Sequence, residues 1–446
     1  MNGSRSPERG PLGRSLPRAG WALTLLLCGA GAAWPQENPF RIGVCREPAT
    51  IPAYRLPEPD LLVRRDRPDI VTPCELPRPG YEPRNIWFGQ TVVAPELGAA
   101  GFYDSNVFAS NRDTEDDVVG VVTPRLRVST GDGKLRLDSE LYASVVEYAD
   151  HSTEDRTEVG AMLGGSYEFN RANLLRSRLR YTHEAEPRTE PDANRDPGDQ
   201  IPKRDRYEAD LQYRYRHNRL TLAPRLTAER LDYVTSGENQ KDRWEAQAAF
   251  RGSLLVSGNV EAFVQPYARM TDFDLSLDGR DRDFTTMGFL SGASFGGGKW
   301  VGELGLGIFY ADFDDPAFDD FVGLGARGAF SWSISERTSL KALLSRDVTP
   351  TTQPGVPGRV DTRFAASIEQ EIRHNLLASA GMEVRATEYR KQQRDLLSVT
   401  LSAEAEYLLS RNLSLVFGVG YTDRFADRSD DEYDRFIAQV GTRLRF

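Results

Sequence analysis

From about Leu97 onward, apolar and polar residues alternate along the chain in segments of roughly ten to fifteen residues. Lys134 to Tyr148 sets Leu135, Leu137, Leu141, Ala143 and Val145 on one face, against Arg136, Asp138, Glu140 and Ser144 on the other. Tyr207 to Arg216 sets Tyr207, Ala209, Leu211, Tyr213 and Tyr215 against Glu208, Asp210, Gln212, Arg214 and Arg216. Leu397 to Leu409 repeats the scheme, with Ser398, Thr400, Ser402, Glu404 and Glu406 on its wet face. A period of two defines a strand with unlike faces. These strands are long and their wet faces carry several charges each, which suits the lumen of a membrane barrel better than a soluble sheet.

The connections alternate as well. Short turns fall at Gly131–Gly133, Asn170–Ala172, His217–Asn218, Ser257–Asn259, Gly296–Gly298, Ser333–Arg337, His374–Asn375 and Ser410–Asn412. Longer polar links lie between them, near 109–116, 149–155, 185–204, 234–241, 273–282, 313–318, 349–359, 390–394 and 426–432. Short turns on one side and long links on the other are the periplasmic and extracellular ends of an outer-membrane barrel. The expected fold is all-β, an antiparallel transmembrane barrel of about eighteen strands, with sixteen as the alternative count. Both chain ends then lie on the periplasmic side. Pro124, Pro224 and Pro266 interrupt predicted strands and are expected at bulges or at the barrel rim. Tyr148, Tyr167, Phe169, Tyr181, Tyr233, Trp300, Tyr310, Trp332, Tyr389, Tyr407 and Tyr421 sit near strand ends, where interfacial girdles place aromatics.

The last segment, Tyr433 to Phe446, alternates throughout. Phe436, Ala438, Val440, Thr442, Leu444 and Phe446 form an apolar row, and Arg435, Gln439, Arg443 and Arg445 lie on the other. An apolar edge strand ending on an aromatic invites aggregation in a soluble domain, but it closes a barrel naturally. Gln439, Gly441, Leu444 and Phe446 resemble the C-terminal signal read by the bacterial barrel-assembly machinery, an expected partner.

The N-terminal part differs. Residues 1–33 read as a signal peptide, with Arg5, Arg9, Arg14 and Arg18 ahead of the apolar run Trp21 to Cys28 and small residues up to Ala33. Residues 34–96 hold twelve of the 26 prolines and little periodicity, and are expected to form a periplasmic extension ahead of a barrel over 97–446. The plain reading of that extension is a disordered tail; a tether, a docking segment or a plug are the alternatives. Export makes a disulfide between Cys45 and Cys74 plausible chemistry, two free thiols being the alternative.

Composition narrows the function. The net charge of −10 gives no reason to expect a nucleic-acid partner. By the alternation, Arg125, Arg127, Arg136, Arg176, Arg178 and Arg180 face inward on early strands, and Glu369, Glu371, Glu383, Glu404 and Glu406 face inward on later ones. Opposed rows of charge would orient an anionic or dipolar solute, whereas local pairing would merely satisfy a filled lumen. Outer links are rich in aspartate (Asp113, Asp116 and Asp117; Asp312, Asp314, Asp315, Asp319 and Asp320; Asp427, Asp430 and Asp431) without EF-hand spacing, so no metal or other cofactor is expected. His183, with Glu184 beside it and Ser177 on the same row, is the nearest approach to a hydrolase set. Six strand residues separate Ser177 from His183, about 20 Å, and no catalytic residue is expected.

Gly101 to Phe108 (GFYDSNVF), the acidic link after it, the strand with Pro124, and the turns His217 to Leu220 (HNRL) and His374 to Leu377 (HNLL) resemble an outer-membrane barrel family, "putative β-barrel porin 2". The resemblance covers roughly residues 97–446. Members often come from proteobacterial exopolysaccharide loci, and the family brings no catalytic residues. The resemblance implies a porin-like channel for a hydrophilic solute, taking part in exopolysaccharide export. Outer-membrane lipid, lipopolysaccharide, a polysaccharide chain and a periplasmic export component are the partners it suggests. A non-conducting structural or docking barrel is the alternative.

Overall fold

The computed structural model describes Val44 and residues 72–112, 114–356, 358–390 and 392–446. The expected signal peptide (residues 1–33), Cys28 within it, Cys45 and Asp113 lie outside the described residues. A short strand, β1 (Ile86–Phe88), precedes a wall of long strands. The first half of the wall is β2 (Thr91–Asp104), β3 (Asp117–Gly131), β4 (Leu135–Tyr148), β5 (Arg156–Asn170), β6 (Asn173–Ala185), β7 (Lys203–His217), β8 (Leu220–Tyr233), β9 (Arg243–Ser257) and β10 (Val260–Phe273). The second half is β11 (Phe284–Gly297), β12 (Trp300–Phe313), β13 (Phe321–Ser335), β14 (Thr338–Thr349), β15 (Arg359–Arg373), β16 (Leu376–Tyr389), β17 (Asp395–Leu408), β18 (Leu413–Ala426) and β19 (Tyr433–Arg445).

Each wall strand pairs antiparallel with its sequence neighbours, and β19 pairs with β2, from Ile437–Asp104 to Arg445–Glu96. The barrel is closed at eighteen strands, settling the count between eighteen and sixteen. The wall starts at Thr91, ahead of the point at which alternation becomes readable. β1 pairs with β2 through Ile86–Val93, and the Asn85 amide donates to the Phe446 carbonyl at 3.1 Å, so β1 continues the edge where β19 stops.

Burial follows the pattern of a membrane barrel, polar inside and apolar outside. Leu137, Leu141, Val145, Leu211, Leu306 and Val440 are exposed, whereas Glu229, Arg269, Glu383, Glu406, Arg424 and Arg435 are buried. Three of the aromatics expected in girdles are corrections: Tyr148, Tyr233 and Tyr389 are buried. Each is the last residue of its strand and falls on the inward row. Tyr167, Phe169, Trp300, Trp332, Tyr407, Tyr310 and Tyr421 are exposed on the outward row. The prolines are not at the rim. Pro124, Pro224 and Pro266 lie within β3, β8 and β10, and at each one flanking ladder is interrupted, as the missing N–H requires.

The lumen is not uniform. Beside β9–β13 it holds an apolar cluster of Phe263, Tyr267, Phe284, Leu290, Phe309 and Phe313. Glycines let the backbones of β11 and β12 approach closely beside it: a Cβ on Gly307 would lie 1.7 Å from the Phe289 carbonyl oxygen, and one on Gly292 1.9 Å from that of Leu304. The β13–β14 ladder stops at Ala326–Arg346, leaving Phe321 to Gly325 unpaired on that side while β12 pairs them fully. Asp347 to Thr349 pair only with β15. In place of β13, Arg269 of β10 reaches across to bond Asp347 at 2.9 Å and the Val348 carbonyl at 2.9 Å. Phe313, from the inward row of β12, packs with Val348 and Val360 from the outward rows of β14 and β15. The outer end of β13 therefore overlaps β14 like a shingle.

Candidate functional site: a charged lumen crossed by a loop

The longest link, residues 186–202, turns into the barrel from β6 and β7. Near its origin, Glu186 accepts hydrogen bonds from Lys241 Nζ at 2.6 Å and the Tyr233 hydroxyl at 2.7 Å. Arg188 donates to Glu154 at 2.6 Å, with both side chains almost wholly buried. Further along, the loop meets the far wall. Asp192 accepts from Arg359 at 2.6 Å, the Thr351 hydroxyl at 2.9 Å and the Tyr389 hydroxyl at 2.5 Å. Arg385 lies 3.2 Å from Glu190, Arg394 donates to the Pro191 carbonyl at 3.2 Å, and Arg424 donates to the Thr189 carbonyl. In the ring of eighteen, β6 and β15 stand nine places apart, diametrically opposite. The loop thus spans the outer half of the lumen, and charge-assisted hydrogen bonds hold both of its ends.

Burial orders these charges. The neighbouring Glu186, with Tyr233 and Glu238, holds Lys241 protonated against burial, which alone would lower its pKa. Burial, with the Arg424 charge beside it, depresses the Arg195 guanidinium to about 10. His151, in the link 149–155, bridges two links through Nδ1 to Asp117 at 2.9 Å and Nε2 to Glu115 at 2.6 Å. Burial opposes its protonation, but these carboxylates outweigh burial and raise its pKa.

The opposite end is engaged by the N-terminal segment. Arg78 lies 3.3 Å from Glu371, and the Val44 amide donates to Glu406 at 3.2 Å. Tyr81 packs edge-on against His374 with ring centroids 5.8 Å apart. Cys74 is disulfide-bonded. Val44 and the described residues 78–81 therefore meet the short-turn ends of β15 and β17 on the inward side.

The charged rows expected from the sequence fare unequally. The later carboxylates are paired along their own wall. Glu369 takes Lys341 at 2.6 Å, Glu383 takes Arg363 at 2.8 Å, Glu404 takes Gln439 at 3.2 Å and Glu406 takes Arg443 at 2.6 Å. Among the early arginines, Arg125 and Arg127 share Glu140 at 3.6 and 2.7 Å, Arg180 lies 3.5 Å from Glu208, and Arg176 also has a partner. Arg136 and Arg178 have none among the described residues. Arg178 stands opposite Asp210 in register, but Asp210 is taken by Arg225 at 2.6 Å. Arg136 lines a recess of about 500 Å³ with Lys134, Asp138, Ser129, Ser166 and Glu168. Arg136 and Arg178 thus leave positive charge without an ion pair on the β4–β6 wall, with Asp138 and Glu168 beside Arg136, and the facing carboxylate row is taken up by its own partners.

The residues expected to form a C-terminal assembly signal sit at the closure seam. Gln439 bonds Glu404 inside, Gly441 packs on Ala100, Leu444 pairs with Leu97, and Phe446 is exposed outside. His183 bonds Asp205 through Nδ1 at 2.8 Å on the outward side. The outer aspartates shape their links: Asp431 is bidentate to Arg394, and Asp320 accepts from the Phe313 amide and the Tyr310 hydroxyl. Among the described residues no cluster of three or more acidic, histidine or cysteine side chains is placed to hold a metal ion. Sequence reasoning missed the crossing loop. Its only signal is length, since links beyond about 12–15 residues usually carry function.

A family model described as "Putative beta-barrel porin 2" matches residues 78–446. The chain belongs to this family. It is a porin-like barrel of the bacterial outer membrane. No curated protein matches the chain. Similar solved structures include OpdK of Pseudomonas aeruginosa, 12% identical, with a TM-score of 0.43 over 79% of this chain and 99% of that one. OccK9 (OpdG) of the same organism is 13% identical, with a TM-score of 0.42 over 80% of this chain and 98% of that one. The FrpB iron transporter of Neisseria meningitidis is 8% identical, with a TM-score of 0.41 over 79% and 81% of the two chains.

Proposed function

We propose that this barrel conducts an acidic hydrophilic solute along its β4–β6 wall, and that the solute class is an acidic sugar, as in exopolysaccharide export. One observation carries the reading. In a lumen where most charges are paired, Arg136 and Arg178 have no ion-pair partner among the described residues, on a wall where Lys134 adds a further positive charge. An unpaired guanidinium on the wall of a water-filled lumen attracts anions. The crossing loop then acts as a constriction that a chain-like solute must displace. Reversing the charge of Arg136 and Arg178 to glutamate should shift the reversal potential in planar bilayers from anion towards cation preference. An unchanged reversal potential would remove the reading.

A second reading has its own support. The crossing loop and the N-terminal segment occupy both ends of the lumen, as a non-conducting structural or docking barrel requires. Silence in bilayers with both elements removed would favour it.

A further inference from the structure

The short turns at one end of the wall carry positive charge, whereas the links at the other end are rich in acid, as in Asp314, Asp315, Asp319 and Asp320. Arg171, Arg219, Lys299, Arg373 and Arg411 lie in or beside the turns β5–β6, β7–β8, β11–β12, β15–β16 and β17–β18. All five are exposed, and none makes an ion pair among the described residues. Of the other cations at this end, Arg337 leans on Glu371 at 3.7 Å, and Lys134 has Asp132 beside it and lines the inward recess. Asp132 and Glu336 are the only carboxylates in the eight turns within the wall. The charge also has a defined depth. Just inside it, on the outward row, stand Phe169, Tyr215, Trp300, Trp332 and Tyr407, all exposed, with Trp300 and Trp332 opposite each other in register. Such a girdle marks the boundary between hydrocarbon and headgroups. Arg171 lies two residues beyond Phe169, Lys299 is next to Trp300, and Arg219 and Arg411 lie four residues beyond Tyr215 and Tyr407. At about 3.3 Å per residue these cations stand no more than about 13 Å past the girdle, at headgroup depth.

We propose that this collar of cations selects net-negative phospholipid headgroups from the periplasmic leaflet of the outer membrane. The distribution of the charge favours a leaflet over a docked protein or an acidic chain at the mouth. The five turns are spread around the ring of strands, from β5 to β18, so no single face collects them. A leaflet surrounds a barrel, and a docked protein or a chain does not. Each Lys or Arg near an anionic surface adds an attraction that salt screens within a Debye length. The selection does not depend on whether the lumen conducts.

The test is native mass spectrometry of the full chain in detergent, with dioleoyl phosphatidylglycerol and dioleoyl phosphatidylcholine supplied in equal amounts. Phosphatidylglycerol should be retained at least about tenfold over phosphatidylcholine, and the combined variant Arg171→Gln, Arg219→Gln, Arg411→Gln should lose about tenfold of that preference. The combination Arg112→Gln, Arg280→Gln, Arg428→Gln makes the same change of charge in the outer links and should leave the preference unchanged. Raising the salt to about 1 M, where the Debye length is about 3 Å, should erase it. All the substituted positions are exposed, and heat-modifiable migration on gels reports folding. No preference between the lipids, equal loss in the outer-link variant, a preference that survives salt, or capture of polygalacturonate fragments that phosphatidylglycerol does not displace would each overturn the proposal.

Discussion

Substituting Asp192 by alanine should release the crossing loop from the far wall. The carboxylate holds Arg359, Thr351 and Tyr389 directly, with Arg394 3.7 Å away, and its side chain is only 10% exposed. Breaking a buried, hydrogen-bonded pair from one side costs about 3–5 kcal/mol. The lower end applies here, because Arg359 retains Asp361 at 3.4 Å and Arg394 retains Asp431 at 2.6 Å. About 3 kcal/mol corresponds to roughly a hundredfold rise in the undocked population. Arg188 and Arg195 supply tryptic sites within the loop that docking protects. The assay is the rate of tryptic cleavage between residues 186 and 202 in the folded protein. Asp192→Ala should cut much faster than wild type and Asp192→Asn should fall between them. Equal rates in all three would refute the idea that Asp192 anchors the loop.

Gly307→Ala should fail to refold or lose about 1–3 kcal/mol or more, since its Cβ meets a backbone carbonyl at 1.7 Å, while Gly101→Ala, with open space around it, should be neutral in urea titrations. His151 has a raised pKa, so the stability it contributes is complete below its ordinary value of 6.5 and is lost as pH rises through the raised value. Amide protection factors in residues 149–155, taken relative to the base-catalysed intrinsic rate, should therefore fall as pH rises from 6.5 through the raised value, and His151→Gln should abolish that fall. Arg269→Met should leave Asp347 buried and uncompensated, costing about 3–5 kcal/mol, which a lowered urea midpoint would report.

The wall was readable because a barrel strand writes its two faces into alternate residues, as Leu135 to Tyr148 and Leu397 to Leu408 do. What alternation does not encode is where a polar link goes. Residues 186–202 read the same whether they are solvated outside or folded into the lumen, because both places are polar. Register was equally hidden. Only the pairing of β6 with β7 shows that Asp210 faces Arg178 and yet serves Arg225. The β13–β14 overlap was invisible for a different reason. Phe313 and Phe321 suit a girdle as well as a lumen, and nothing local states that a ladder ends five residues early. Tyr148, Tyr233 and Tyr389 show the same ambiguity, since one position at a strand end decides between lipid and lumen.

The central claim is that a conducting lumen is closed by two elements, the crossing loop and the N-terminal segment. Single-channel conductance tests it most directly, using the full chain, a variant lacking residues 34–84 that keeps β1, Asp192→Ala, and the combination. The account predicts small or rare openings in the full chain, larger steps in each single variant, and steady conductance in the combination. Silence in all four would contradict it and leave the structural barrel.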